Sequence, residues 1–324
     1  MIAKNHPFLV REQVIRTTRQ FFEDQDFQEI TTPVLNKALP LEPNLYAFKT
    51  SWQTMKDKQT LYLSTSPEAA LKKMLALGLK KVFAIGHSFR NHEPAGVEHN
   101  PEFLMLEWYR TEADHKQIMG DTEALIQFLF NQLEISKRQF NLASPWPRFS
   151  LEQLFKQKLG VSLKEILSIE AIQVLAKSKG YTLENSTWEE LFNQLFMNEI
   201  ETELGEQPFF LIDFPAQISP LCAPRPDKPH LAQRFEVYLN GLEIGNGNTE
   251  QTDVKLIAKH FSAEQKYRQQ SNLSQPAIDQ DFLQTLTTLH QTQQQYAGIG
   301  LGVERLAMIL SDQENLANIN PFTL

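Results

Sequence analysis

Three short stretches carry side chains suited to handling a phosphate and a carboxylate. The first is Ser88-Phe89-Arg90-Asn91-His92-Glu93, followed by His99-Asn100-Pro101-Glu102-Phe103 and then Glu107-Trp108-Tyr109. Arginine offers a planar fork matched to phosphate oxygens, and an aromatic ring on a returning strand offers a flat face to a purine. Any one of these residues alone fits a plain hairpin with a solvated loop; the ordered set argues against that. The second stretch is Gly241-Leu242-Glu243-Ile244-Gly245-Asn246-Gly247-Asn248-Thr249-Glu250. Glu243 and Glu250 are seven residues apart, a spacing that puts them on opposite faces of a flat strand. The Gly-Asn-Gly between them signals a bulge that brings both to one side. Paired carboxylates beside bound phosphates are a usual way to hold Mg²⁺. A glycine-rich turn with two solvated acids is the bland reading, and the stretch alone does not choose. The third is Gly298-Ile299-Gly300-Leu301-Gly302-Val303-Glu304-Arg305. Small residues alternate on one strand face, where a flat ring can lie, and Arg305 in the following helical turn is within reach of a phosphate. That spacing by itself is equally a packing strand.

These groups need a sheet and helices to position them. Residues 8–26 predict an amphipathic helix with Phe8, Leu9, Ile15, Phe21 and Phe22 on its apolar face. Phe27 to Leu35 predicts a strand ending at Pro33. Leu61-Tyr62-Leu63 is a short strand, and Ser66-Pro67-Glu68 opens a helix through Leu79 with Ser66 as N-cap. Residues 81–86 and 103–109 predict an antiparallel hairpin with a long, polar connection. A helix follows over 114–135. Residues 150–205 change character: helix-periodic, rich in Leu, Lys, Glu and Gln, and poor in Gly and Pro. They predict a helical insertion. Strands resume at 209–214, 233–239 and 241–245, helices at 253–273 and 275–294, and a strand over 298–302 runs into a helix over 303–312. The order predicts an α+β fold, an antiparallel sheet flanked by helices. Six of the 13 glycines fall at 241, 245, 247, 298, 300 and 302, which suggests a ligand lying across the sheet.

The chain has 324 residues, 41% hydrophobic and 22% charged, enough for a substantial core. A net charge of −8 weighs against a protein that lives by gripping a large RNA. The one cysteine, Cys222, excludes a disulfide framework and a thiolate zinc site and suits the cytoplasm. No apolar run has the length of a signal peptide or membrane span, so no membrane partner is expected.

Phe89-Arg90-Asn91 with His99-Asn100-Pro101-Glu102-Phe103 resembles motif 2 of the class II aminoacyl-tRNA synthetases in its lysyl form. Gly300-Leu301-Gly302-Val303-Glu304-Arg305 is similar to motif 3, with Glu304 for the commoner aspartate. Phe27 to Pro33 is similar to motif 1, a dimer-interface element. Glu243-Ile244-Gly245-Asn246-Gly247 with Glu250 is similar to the lysyl-type strand that binds metal and amino acid. The resemblance covers nearly the whole chain and implies the catalytic core of that family, with an N-terminal anticodon-binding domain expected to be absent because motif 1 begins within the first 35 residues. That truncated architecture resembles ligases that attach (R)-β-lysine to a lysine of translation elongation factor P. It implies a protein acceptor rather than tRNA, and a homodimer.

The resemblance also implies the chemistry. A substrate carboxylate attacks the α-phosphate of ATP and pyrophosphate leaves. Arg90 clamps the α-phosphate and the carboxylate; Arg305 and His99 hold the γ-phosphate. Asn91, His92, Glu93 and Asn100 lie along the adenosine, Phe103 stacks on adenine, and Glu243, Ile244 and Gly302 complete the ATP contacts. Glu243 and Glu250 hold Mg²⁺. Ser66, Pro67, Glu68, Tyr109, Asn246, Glu250 and Gly300 contact the amino acid. The loop from Asn91 to His99 is one residue longer than the pattern, so Glu93 takes the place where His92 falls. Gly300 stands where the β-lysine ligases carry alanine and the tRNA synthetases glycine, which leaves lysine and β-lysine both open. Competing readings are a tRNA-charging truncated synthetase and a non-catalytic paralogue with a regulatory role; retention of Arg90, Arg305, Glu243 and Glu250 weighs against the latter.

Overall fold

The computed structural model describes residues 6–92, 96–133, 140–182, 186–271, 273–274 and 276–323. Helix α1 (Pro7–Asp24) follows the apolar periodicity and buries Val10, Val14, Ile15, Phe21 and Phe22. The next segment, expected as one strand, gives only β1 (Gln28–Glu29) and β2 (Leu35–Asn36). Pro33 between them has no N–H to donate to a ladder. Strand β3 (Lys49–Gln53), which no pattern foretold, pairs with β4 (Lys58–Leu63), and β2, β4 and β3 form a small sheet. Every residue of β3 is exposed, so no apolar alternation marked it. Helix α2 (Glu68–Ala76) starts one residue later than expected and stops short of Leu79; its N-cap is Pro67 rather than Ser66, whose Oγ accepts from the Glu68 N–H at 3.3 Å.

The predicted hairpin is β5 (Lys81–Phe89) and β6 (Glu102–Thr111). Helix α3 (His115–Leu133) follows; the expected last residues, 134–135, lie outside the described residues. Strand β7 (Arg148–Ser150) precedes the stretch over 150–205, expected as a helical insertion, which holds α4 (Leu151–Leu159), α5 (Ile169–Ser178) and α6 (Trp188–Glu199). Then come β8 (Phe209–Ile212), β9 (Arg234–Leu239), β10 (Leu242–Thr249), α7 (Val254–Gln270), α8 (Gln280–Gln291), β11 (Tyr296–Gly302) and α9 (Val303–Leu310). The main sheet runs β1-β5-β6-β11-β10-β9-β8-β7. It is antiparallel except at its two edges, where β1 joins β5 and β7 joins β8 in parallel. The expected α+β core of a sheet flanked by helices is observed.

Alternation along the strands sorts the two faces. Phe83, Leu104, Leu106, Trp108, Ile299 and Leu301 point to one face and pack under α1, α3 and α9. Burying each large apolar side chain there contributes roughly 1.5–3 kcal/mol. On the other face Val82, Ala84, Tyr109 and Tyr296 meet Leu71, Phe261, Phe282 and Leu286 of α2, α7 and α8. This helical stretch does not float free of the sheet. Phe155 and Phe192 stack with ring centroids 5.3 Å apart, and their cluster includes Phe209, Leu211 and Tyr238 of β8 and β9. No described helix is long and apolar enough to cross a membrane.

Candidate active site

The helices leave part of the second sheet face open, and that part is the floor of the site. Pairing aligns two rows of side chains across β6, β11, β10 and β9. One row runs Glu107–Gly300–Asn246–Glu236 and the next Tyr109–Gly298–Asn248–Arg234. A bulge between Glu243 and Gly245 restores Glu243 to the same face. The open face is therefore polar, acidic at both ends and glycine-lined in the middle.

Two cavities share this floor. One, about 340 Å³, is lined by Arg90, His99, Asn100, Phe103, Glu236, Glu243, Ile244, Gly302 and Arg305 among others. Arg305, on the first turn of α9, is fixed: one guanidinium nitrogen donates to the Glu243 carbonyl at 2.7 Å and another lies 2.9 Å from His99 Nε2. Beside it Glu304 is buried and accepts from the Leu104 N–H at 3.0 Å and from Arg11 Nε at 3.0 Å. The extra methylene relative to aspartate is used to span from α9 to β6 and α1. The guanidinium of Arg90 lies 5.3 Å over the Phe103 ring, a cation–π contact. The other cavity, about 270 Å³, is lined by Glu42, Ser66, Glu68, Glu107, Tyr109, Ser219 and Asn248, with Glu189 at its rim. Arg90, Met105, Arg234, Asn246 and Gly300 belong to both. The junction thus holds two arginines, and the Arg90 Nε is buried without a hydrogen-bond partner among the described residues. A negative group placed at the junction satisfies it.

The smaller cavity is dense in buried carboxylates. Tyr109 donates its phenol proton to Glu107 Oε1 at 2.8 Å. Burial, then the Glu68 charge, pushes the Glu107 carboxyl well above its usual value. Glu42 is pushed up to about 7 by burial and then by Glu68. Behind this wall the ammonium of Lys72, 1% exposed, bonds Glu68 and lies 2.6 Å from Glu250. Burial alone would lower the Lys72 value; the two carboxylates hold it well above the ordinary lysine range. An unpaired buried charge is costly, so the three groups require one another. What remains exposed to the cavity is acidic at one end and arginine-bearing at the other, which suits a zwitterion with an extra amine.

Several of the expected contacts are placed differently. Glu250 does face the same side as Glu243, but six strand steps separate them, roughly 20 Å, and Glu250 is spent on Lys72. One ion cannot bridge them. The partner of Glu243 is Glu236, whose carboxyl is pushed up to about 8 by burial and then by the Glu243 charge. Two crowded acids at the larger cavity, with Arg234 at 2.8 Å and the Tyr238 hydroxyl donating at 3.4 Å to Glu236, fit a divalent cation. Asn91 and His92 line neither cavity. The Asn91 N–H donates to the Tyr46 carbonyl at 2.7 Å, and His92, at φ 63°, sets its ring 5.0 Å from Tyr46. They pin the loop to the 40s segment. Glu93 lies outside the described residues. Pro67 faces a neighbouring cavity lined by Thr32, Pro33 and Asp279. The glycines also divide. A Cβ at Gly298 would sit 2.2 Å from the Tyr109 ring, so the flat ring lying there is the protein's own. Gly245 and Gly247 face the buried side, against Leu301, Ile299 and Phe235.

The description "tRNA synthetases class II (D, K and N)" belongs to a family whose pattern matches residues 3–324. The chain belongs to this family. It is 33% identical over 323 residues to a lysine–tRNA ligase of Sinorhizobium medicae, covering 96% of this chain and 63% of that protein. It is 32% identical over 325 residues to the lysine–tRNA ligase of Nostoc punctiforme, covering 98% of this chain and 56% of the other. Lysine–tRNA ligase 2 of Methanosarcina acetivorans is 34% identical over 331 residues, with 98% and 62% covered. The chain therefore spans 56–63% of the length of these relatives.

Glu42, Lys72, Arg234 and Glu236 escaped the sequence, and Glu107, though part of the first stretch, carries no assigned role there. For Glu107 a signal was present: Met105, Glu107 and Tyr109 alternate with Leu104, Leu106 and Trp108, and a carboxylate on the face of Tyr109 points where Tyr109 points. The same period of two links Arg234, Glu236 and Tyr238. For Glu42 and Lys72 no local pattern exists.

Proposed function

We propose that the protein activates a lysine-like diamino acid as its adenylate at the expense of ATP, and transfers it to the side-chain amine of a lysine on translation elongation factor P. The observation that carries this reading is the position of Arg90 at the junction of an acid-lined cavity and an arginine- and histidine-lined one. In the reading, ATP occupies the larger cavity with its adenine against Phe103 and its terminal phosphates toward Arg305 and His99. The diamino acid occupies the smaller one, its amines toward Glu68, Glu107 and Tyr109. Its carboxylate then meets the α-phosphate at Arg90, which draws both negative groups together and stabilises the charge that develops as pyrophosphate leaves. Mg²⁺ bound at Glu236 and Glu243 would neutralise phosphate charge. Both (R)-β-lysine and lysine fit the cavity's charge pattern.

A protein acceptor is supported by the net charge of −8, which disfavours a polyanion. The similarity to lysine–tRNA ligases favours the second reading, a synthetase-like enzyme acting on tRNA. A homodimer belongs to the proposal. It is supported by the wholly exposed β3 with Trp52, and by exposed Val34 and Leu35 near Pro33. A cytoplasmic setting accords with the single cysteine.

The test has two halves. Pyrophosphate exchange should depend on lysine or β-lysine and fall by about 10²–10³ in Arg90→Ala. No exchange with any diamino acid in the wild type would overturn the enzyme reading. Label should then pass from the activated amino acid to elongation factor P and not to tRNA; efficient tRNA charging would select the second reading.

A further inference from the structure

A further cavity, about 410 Å³, opens beside the amino-acid cavity, and Pro43, Asn44, Glu189 and Ile218 wall both. Its outer side is built by the helical insertion, with Ile169 of α5 and Thr187 to Glu190 at the start of α6. Among its described residues, the insertion thereby reaches the site through one side chain, Glu189. Among the described residues the lining is one-sided in charge: Glu189, Glu190 and Glu264, with no lysine or arginine. Two of these acids are engaged. Glu264 pairs with Arg268 at 2.6 Å, and Glu190 caps its own helix by accepting from the Thr187 N–H at 2.7 Å. Glu189 faces the neck and accepts from Asn44 Nδ2 at 2.8 Å. Next to Ile218, on the amino-acid side, Ser219 is 3% exposed, and its Oγ has no hydrogen-bond partner among the described residues. A buried hydroxyl left unsatisfied at a cavity wall is costly and is a ready contact for an incoming polar group.

We infer that this neck is the entrance for the acceptor, a lysine side chain of a protein, whose ammonium is drawn in by Glu189 and passed to Ser219 as it enters the amino-acid cavity. The inference rests on the reading that the site transfers an activated amino acid. On it, the helical insertion serves to hold a carboxylate at the mouth. The same carboxylates repel a polyanionic acceptor. The shared chemistry is a primary alkylammonium, and the free diamino acid has it too, so the test must separate the two.

Glu189→Gln, Glu189→Lys and Ile218→Trp, which narrows the neck, are compared with wild type in three assays. These are pyrophosphate exchange with the diamino acid, capture of the adenylate by hydroxylamine, and transfer to the lysine-bearing acceptor protein. The expected result is a transfer kcat/KM at least tenfold lower relative to hydroxylamine capture in Glu189→Lys and Ile218→Trp. A smaller fall in the same ratio is expected in Glu189→Gln. Exchange falling in parallel with transfer would overturn the inference, because the neck would then serve the diamino acid. Equal rates in all variants would overturn it as well. A wild-type protein without exchange would overturn the functional reading itself, and the inference with it.

Discussion

The two cavities at Arg90, the larger proposed as the nucleotide side and the smaller as the amino-acid side, are held in shape by different forces. The nucleotide side relies on groups tied to the backbone: Arg305 on the Glu243 carbonyl and Glu304 on the Leu104 N–H. The amino-acid side relies on buried charge held by other buried charge, with Lys72 between Glu68 and Glu250 and Tyr109 on Glu107. Backbone anchors tolerate the loss of one side chain, because the strand and helix persist. A buried ion cluster does not, since each removal strands an uncompensated charge.

That difference gives the largest expected effect. Lys72→Met should lower unfolding free energy by about 3–5 kcal/mol, read as a fall in the urea midpoint. It should also weaken diamino-acid binding, because Glu68 and Glu250 then face each other without a cation. His99→Ala, on the nucleotide side, should raise the KM for ATP with little change in that midpoint. Equal midpoints for the two variants would break the comparison.

A second expectation concerns pH. Glu42 is raised to about 7, by burial and then by Glu68. A bound ammonium favours its ionised form, so binding below pH 7 releases a proton. Diamino-acid affinity should therefore climb as pH rises from 5.5 to about 7.5, by at most about tenfold per unit, and then level. Glu42→Gln should flatten the profile. The stability sign is the opposite one. A carboxyl raised above its unfolded value of 4.5 stabilises the fold fully below that value and loses this contribution as pH rises through 7. Glu42→Gln should thus gain thermal stability relative to wild type at pH 8 and show little difference at pH 4. A flat wild-type affinity from pH 5.5 to 7.5 would remove Glu42 from the site.

The same contrast explains what could be read from the chain. The nucleotide side is built from runs: Phe89 to Phe103, Glu243 to Gly247, and Gly300 to Arg305. Within a run, residue types and spacing keep their meaning, and Arg90, His99, Phe103, Glu243 and Arg305 were all legible. The amino-acid side is gathered from single residues in the 40s, α2, β6, α6, the 218–222 loop and β9. Only tertiary folding brings Glu42 to Glu68, or Lys72 to Glu250, 178 residues away. The fold was legible wherever apolar periodicity was strong. It failed at β3, which has no buried face, and at Phe27–Leu35, where Pro33 interrupts pairing. Glu250 was misassigned for a related reason: pleat parity gives the face a side chain points to, and says nothing of how far along the strand its partner lies.

The smallest expected effect lies where the two sides meet. Gly300 lines both cavities, and a Cβ there would approach Met105 Sδ at 3.2 Å. A thioether can swing aside, so Gly300→Ala should fold normally while narrowing the junction near the amino acid's carboxylate. An added methyl in a pocket discriminates by roughly 1–3 kcal/mol at most, and Met105 absorbs part of it. The ratio of adenylation rates for (R)-β-lysine and lysine should shift severalfold toward β-lysine, with the KM for ATP almost unchanged. Gly298→Ala is the contrasting change. Its Cβ would meet the Tyr109 ring at 2.2 Å and the Trp108 carbonyl at 2.7 Å, and only the ring can give way. That substitution should displace Tyr109 from Glu107 and weaken both diamino acids alike. If Gly300→Ala leaves the ratio where it was, the junction does not select the substrate backbone, and selection must come from the acids beyond it.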